Sequence, residues 1–385
     1  MPARIMIGAD LVPTEKNYQY FKEGDAETLV GIELLKKINS VDFTIFNLEV
    51  PLTDRKQPIE KCGPNLIAPM DTIKGLKKIN PYFFTLANNH ILDQGKQGLD
   101  STIEALDRAE IAYAGAGSNL DEARKPYIIE LNGIKVGIYC CAEHEFSIAT
   151  NSKAGANPFD PLESLDHIVK LKGQCEYVIV LYHGGKEHYR YPSPHLQKIC
   201  RKLVEKGANL VVCQHSHCIG CKEEWKNGMI VYGQGNFLFD NSESEYWQTS
   251  LLIELTINHG SSDISFLPIH KDKEKVRVAQ KKERDLILEE FFERSEKIQQ
   301  RDFVSVNYAQ FAQEMCIEYL NIFLGKTAKN PLYRLLNKVS GHKFSTWYQG
   351  KKYQKKEILS LINRVECEAH RELILQILSN EGHNV

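Results

Sequence analysis

The sequence has no run of about eighteen apolar residues, the length a membrane-crossing helix requires, so no membrane span is expected. The apolar stretch just after Met1 is too short for a secretory leader and leads directly into fold-like sequence. Neither sign of charge dominates. The 48 Lys and Arg against 50 Asp and Glu leave a net charge of −2, so no global field favours nucleic acid or anionic lipid. The one basic cluster, Lys351, Lys352, Lys355 and Lys356, reads as a solvated helix start rather than a nucleic-acid patch. The 10 cysteines are scattered, several within apolar runs such as Tyr139-Cys140-Cys141. That pattern excludes a disulfide framework and suits a reducing, cytoplasmic setting. There is no G-x-x-x-x-G-K-[ST] phosphate loop and no G-x-S-x-G elbow, and the segment from His183 to His188 has neither H-E-x-x-H nor H-x-x-E-H spacing. Internal repeats and low-complexity segments are also missing.

What remains is a globular chain of 385 residues, 42% hydrophobic and 25% charged, long enough for two units and a large core. Runs rich in Ile, Val, Phe and Tyr, bounded by Gly, Asn or Pro, predict strands. They fall at Arg4–Ile7, Phe43–Asn47, Tyr82–Ala87, Tyr127–Leu131, Lys135–Cys141, Tyr177–Tyr182, Leu210–Cys213, Met229–Tyr232 and Ser250–Ile257. Between them lie helical patterns, such as Gly98–Ala109 with Leu99, Ile103 and Leu106 on one face, and His195–Gly207 with Leu196, Ile199 and Leu203. This alternation predicts an α/β architecture. Near residue 270 the texture turns highly charged and the β signal fades. Phe311, Met315, Tyr319 and Ile322 then recur at helical spacing, as do Ile358, Ile362, Val365 and Ala369. We therefore expect one domain over 1–270 and a helical C-terminal region over 275–385.

Chemistry gathers just after the predicted strands, where α/β proteins place their ligand sites. Asp10 follows the first strand, and Asn47 and Glu49 follow the second. Asn88, Asn89, His90 and Asp93 follow the third. Glu143, His144 and Glu145 come after Lys135–Cys141, and His183, Glu187 and His188 after Tyr177–Tyr182. His215 and His217 follow Leu210–Cys213, and Asn236 and Asp240 follow Met229–Tyr232. Taken singly, each is as well explained by a turn or a helix cap. The repetition of the same residue types at successive strand ends is harder to attribute to turns. Imidazoles suit Zn, Fe or Mn, carboxylates suit harder ions, and a mixed set suits one or two divalent metals. Gly184-Gly185, Gly233 and Gly235 would let backbone approach a ligand closely.

These segments resemble the CapA family, related to poly-γ-glutamate capsule synthesis, within the calcineurin-like metallophosphoesterase superfamily. The resemblance rests on Gly8-Ala9-Asp10, Phe46-Asn47-Leu48-Glu49-Val50-Pro51-Leu52-Thr53, Leu86-Ala87-Asn88-Asn89-His90-Ile91-Leu92-Asp93-Gln94-Gly95 and Gly115-Ala116-Gly117. It continues through His183-Gly184-Gly185-Lys186-Glu187, His215-Ser216-His217 and Tyr232-Gly233-Gln234-Gly235-Asn236-Phe237. It covers about residues 1–258. It implies a four-layer α/β/β/α sandwich of the metallophosphoesterase type. By motif, it implies Asp10, Glu49, Asn89, His183, His215 and His217 as metal ligands and His90 as general acid. Asp93 and Glu187 join His90 as expected catalytic residues, the role of Glu187 being unassigned. Asn47, Asn88, Lys61, Glu143, His144, His188, Arg190 and Asn236 are expected around the substrate. The chain departs from the family pattern in three places, the first being Ala9, which separates Gly8 from Asp10 where the family usually has Gly-Asp. Asp10 is followed by Leu11-Val12, so the superfamily's usual Asp-x-His start is missing, and Gln214 stands where a glycine commonly precedes the His-x-His.

The leading expectation is a metal-dependent hydrolase of a phosphoester or of an amide in a glutamate polymer, an anionic substrate in either case. The alternative is a non-catalytic assembly or binding factor for capsule or polyglutamate synthesis, with the helical tail docking a protein partner. A third reading closes Cys213, Cys218 and Cys221 with the two histidines into a zinc knuckle, although Cys218-Ile219-Gly220-Cys221 has no second Cys-x2-Cys to match it.

Overall fold

Successive side chains along Ala3–Leu11 point to opposite faces, and this alternation sets the layering of the protein. Ile5 and Ile7 pack with Val136, Ile138, Ile179, Leu181, Leu210 and Val212 between two sheets. Met6 faces the other way and packs with Phe46, Phe84, Leu34, Leu76, Leu99 and Leu106 under a layer of helices. The second sheet repeats the scheme, with Val178 and Val180 turned outward onto Ile168, Leu171, Leu196 and Leu203 of the helices Ser164–Lys172 and Pro194–Glu205. The result is an α/β/β/α sandwich. The computed structural model describes residues 1–239, 244–323, 326–367, 369–371 and 374.

The first sheet runs, in spatial order, Lys275–Val278, Ser261–Asp272, Thr249–Asn258, Ala3–Leu11, Phe43–Leu48, Phe83–Thr85 and Ala112–Ala114, with Asn236–Leu238 also paired to Ala3–Leu11. The second runs Lys222–Trp225, Gly228–Tyr232, Leu210–Gln214, Tyr177–His183, Ile134–Ala142 and Tyr127–Leu131. The strands that carry chemistry are central and parallel, so their carboxyl ends finish together. The register is close. Asp10 lies opposite both Asn47 and Asn236, and His183 opposite both Ala142 and Gln214.

Every strand expected from the sequence is present, several extended by a residue or more at their ends, although the one expected over Tyr82–Ala87 is confined to Phe83–Thr85. The sequence reading missed Ala112–Ala114, Lys222–Trp225, Asn236–Leu238, Ser261–Asp272 and Lys275–Val278. The last of these falls at the start of the region expected to be helical, 275–385. The expected helices form over Gly95–Ala109 and Pro194–Glu205, and Ser193 caps the second by accepting from the Leu196 N–H.

By contact the chain falls into two compact units, Met1–Ser305 and Val306–Val385. The helix Lys281–Lys297 belongs with the first, because Ile287 and Phe291 join Ile219 and Leu251 in one buried cluster. The second unit is helical, with elements at Cys316–Phe323, Pro331–Val339, Lys343–Lys352 and Lys355–Glu366.

Candidate metal centre

The first strand is irregular between Ile7 and Asp10, where its pairing with Phe43–Leu48 shifts register. Two buried glutamines fill the gap. Gln234 Nε2 donates to the carbonyls of Ile7 and Leu251, both at 2.9 Å, and Gln214 Nε2 donates to the Gly8 carbonyl at 3.1 Å. Gln214, out of place in the family motif, thus ties the second sheet to the first immediately behind the site.

Asp10 is fully buried. Its Oδ1 accepts from Asn47 Nδ2 at 2.8 Å, and its Oδ2 lies 3.3 Å from the His215 N–H and 3.5 Å from His217 Nδ1. His183 is the hub of the cluster. Its Nε2 lies 3.0 Å from Asn89 Oδ1, 3.2 Å from His215 Nδ1 and 3.3 Å from Glu49 Oε1. His217 Nδ1 is 2.8 Å from Asn236 Oδ1. His215 and His217 both take left-handed backbone, φ +87° and +53°, which side chains other than glycine rarely adopt. The turn that holds them needs a close neighbour. Gly233, at φ +120°, backs onto it, and a Cβ there would lie 2.7 Å from Ser216 Oγ.

Burial opposes charge on His183, yet the Glu49 carboxylate and Asp10 hold its pKa above the ordinary value. His215 is pushed well below it, first by burial and then by the charges of His183 and His217. His217 is raised to about 9 against burial by Asp10, Glu49 and Asn236. Burial also opposes ionisation of Asp10, but His217 and His183 keep its carboxyl below the usual carboxylate range. His183 and His217 therefore act as counter-charges beside the buried Asp10 and Glu49, while His215 is held neutral.

Whether these residues suit a cation can be judged from Glu49. Both of its oxygens are buried and neither accepts a hydrogen bond. A buried carboxylate left in that state is costly. Around His183 Nε2, three further acceptor-type atoms crowd within 3.3 Å, and one imidazole N–H can serve only one of them. Ligand atoms of Glu49, His215 and His217 lie within 4.8 Å of one another. Such a gathering of lone pairs suits a divalent cation. No cysteine joins that group among the described residues, and Cys213 instead meets Cys200, Sγ to Sγ, at 3.6 Å. The zinc knuckle is therefore not formed.

Beside this cluster, His90 Nδ1 is 2.6 Å from Asp93 Oδ2. Asp93 also accepts from the Leu66 N–H at 2.6 Å and is paired with the buried ammonium of Lys61, which lies 3.2 Å from His90 Nδ1. Lys61, expected near substrate, is thus enclosed behind His90. Asn88 is fully buried and fully used, donating to Asn47 Oδ1 and the Leu48 carbonyl and accepting from the His90 N–H. Glu143 accepts from the Gly185 N–H at 3.1 Å, while His144 and Glu187 stand exposed on their loops. His188 receives a hydrogen bond from Trp247 Nε1 at 3.1 Å and stacks on Tyr246. Arg190 lies over the Tyr246 ring, 4.8 Å from its centroid, and pairs with Glu245 at 3.2 Å. Asp240 lies outside the described residues.

Two neighbours were given no role from sequence. Trp247 stacks on His217 with ring centroids 4.9 Å apart, and Glu145 reaches Asn89 Nδ2 at 3.2 Å and His215 Nε2 at 3.7 Å. Glu145 was visible only as one polar residue of a loop. Trp247 sits in a short 3-10 turn, Glu245–Trp247, that carries no motif.

The structure is a four-layer α/β/β/α sandwich that gathers buried His, Asn and carboxylate groups at the carboxyl ends of its central strands, a class of site suited to a divalent cation. More narrowly, the chain belongs to the bacterial capsule synthesis protein PGA_cap family, whose sequence profile matches residues 4–241. It is similar to the capsule biosynthesis protein CapA of Bacillus anthracis, 29% identical over 60% of this chain and 59% of that protein. It is also similar to the PGA biosynthesis protein CapA of Bacillus subtilis, 26% identical over 59% and 61% respectively. The chain thus matches about three fifths of the length of these relatives. Among solved structures, a phosphatase from Mycoplasma pneumoniae aligns over 71% of this chain and 95% of its own, with a TM-score of 0.45 and 14% identity.

Proposed function

We propose that the chain is a metal-dependent hydrolase acting on a phosphoester or on an amide of a glutamate polymer, in capsule or polyglutamate biosynthesis. The observation that carries this reading is the buried carboxylate of Glu49, which faces the imidazole of His183 at 3.3 Å with no well-formed hydrogen bond and shares a ligand cluster with His215 and His217. Asp10, Glu49, Asn89, His183, His215 and His217 would hold one or two ions of Mn, Zn or Fe. Such an ion, when bound, polarises the electrophile and lowers the pKa of a bound water. His90 has its Nδ1 committed to Asp93, which leaves Nε2 to deliver a proton to the leaving group. Asp93 fixes that tautomer, and Lys61 holds Asp93 in place. Asn88 and Asn47 brace the strand ends. Glu143, His144, His188, Arg190 and Asn236 would stand around the substrate, and Glu187 would join His90 and Asp93 in catalysis.

The test is metal analysis together with turnover of generic phosphomonoesters, phosphodiesters and γ-glutamyl amides after loading with Mn, Zn or Fe. We expect bound metal and hydrolysis of at least one class, with His90→Ala abolishing turnover while metal stays bound. A protein that takes up none of these metals would overturn the reading. Bound metal without turnover of any class would make the chain a non-catalytic assembly or binding factor instead.

A further inference from the structure

In the second unit, polar groups lie inside and apolar groups outside. Tyr333, Ser345 and Gln349 are buried there. The Tyr333 hydroxyl meets Asn321 Oδ1 at 3.1 Å and Ser345 Oγ at 2.7 Å, and Gln349 Nε2 donates to the Ile317 carbonyl and to Asn321 Oδ1, both at 3.0 Å. The outer surface carries the hydrocarbon. On the helix Pro331–Val339, Leu332, Leu335, Leu336 and Val339 follow i, i+3, i+4, i+7 spacing and are 63%, 57%, 40% and 78% exposed. Trp347 of Lys343–Lys352 is 59% exposed. An apolar stripe on a helix normally faces a core, and this one faces solvent.

Its electrostatic setting indicates the partner. Residues 326–364 contain ten Lys and Arg and a single acidic residue, Glu357. That is a net charge of +9 in a chain whose net charge is −2. On Pro331–Val339 the cations Arg334 and Lys338 flank the apolar stripe rather than interrupt it. Lys351, Lys352, Lys355 and Lys356 follow at the junction of the next two helices.

We propose that this face docks on the surface of an anionic lipid bilayer, with the leucine stripe and Trp347 in the headgroup boundary and the lysines and arginines on lipid phosphates. The combination is that of an interfacial amphipathic surface: an apolar face, a cationic flank and a tryptophan suited to the headgroup level. Long Lys and Arg stems lie along hydrocarbon while their charges reach phosphate. A second copy of the same face would bring like charges together, and a soluble polyanion would leave the leucines in water. No helix among the described residues is long and apolar enough to cross a membrane, so the contact is one of lying on the surface. The inference is independent of the metal centre, and its readout needs no catalysis.

The experiment is co-sedimentation of the whole chain with vesicles of phosphatidylglycerol and phosphatidylcholine in equal parts, against phosphatidylcholine alone. Binding is expected only to the anionic vesicles, weakening as salt screens it. Replacing Lys351, Lys352, Lys355 and Lys356 together with Glu should weaken binding on the order of tenfold or more. Leu332→Ser with Leu335→Ser and Val339→Ser should weaken it as well, with an unchanged circular dichroism spectrum. Trp347 fluorescence should shift to the blue on binding, and Trp347→Phe should remove that shift. Equal binding to neutral and anionic vesicles, or none to either, overturns the proposal. So does anionic binding that the serine variant leaves intact and soluble polyglutamate competes away, which would mark a plain polyanion site.

Discussion

The strand-end edge of the first unit and the helical second unit handle burial in opposite ways. At the edge, Asp10, His183 and His217 are taken out of water, and the opposite charges beside them hold each toward its charged form. In the second unit a hydroxyl and amide network occupies the interior and leucines stand in solvent. A buried charge cluster is costly unless its partners are held rigidly or a cation completes it. An exposed leucine stripe is costly only until something covers it. The first arrangement concentrates chemistry, and the second leaves a surface for association.

The largest expected break in this comparison comes at the edge. His90→Ala should reduce turnover by about 10²–10⁴-fold with metal content unchanged, measured by steady-state kinetics alongside metal analysis. Trp347→Ala in the second unit should alter neither quantity. Next comes packing. Phe46, buried between sheet and helices, should cost about 3–5 kcal/mol of stability when replaced by Ala. Leu335→Ala, on the exposed stripe, should stay within about 0.5 kcal/mol in the same denaturant titration. Smaller still, Lys61→Met leaves Asp93 short of a partner at a buried position and should cost about 1–3 kcal/mol. Its turnover should fall less than that of His90→Ala, since His90 remains.

The smallest effect concerns the helix that closes the first unit. Arg277 and the Gln280 N–H hold the Glu283 carboxyl down, from 4.5 to about 2. A depressed carboxylate contributes stability above its unfolded pKa and loses that contribution as pH falls through the folded value. Glu283→Gln should therefore cost a few tenths of a kcal/mol near neutral pH, as exposed pairs do. In thermal melts at descending pH, the gap between variant and parent should close between pH 4.5 and about 2. A gap that persists below that window would assign the effect to the neutral cap rather than to the ion pair.

What the sequence made legible follows from the physics of each part. Core strands such as Tyr177–His183 are apolar on both faces and stand out as continuous Val, Ile and Leu runs. Lys275–Val278 is an edge strand in a charged segment, and edge strands carry polar residues to discourage further pairing, so it reads as loop. Asp10, Glu49, Asn89, His183, His215 and His217 could be listed because each directly follows or ends a strand. That they meet is a property of parallel register, which no local pattern encodes. Lys61 shows the ambiguity of a lone cation. From sequence it reads as an anion binder, yet in the fold its charge is taken up by Asp93. Trp247 gave no signal, and Glu145 stood among the strand-end residues without a role, because their importance lies in proximity to His217 and Asn89 alone.

The paired glutamines behind the site bear on which parts of the molecule can vary. Gln214 works like a dowel through two boards, crossing from the second sheet to a carbonyl that the irregular first strand leaves available, while Gln234 clasps that strand to its neighbour Thr249–Asn258. Sliding one sheet past the other would break the dowel. Alignment of the ligand-bearing strand ends is therefore set from beneath, by the frame. The surrounding loops can then change in length and composition, and with them the substrate admitted, without disturbing how the ligand-bearing groups face each other.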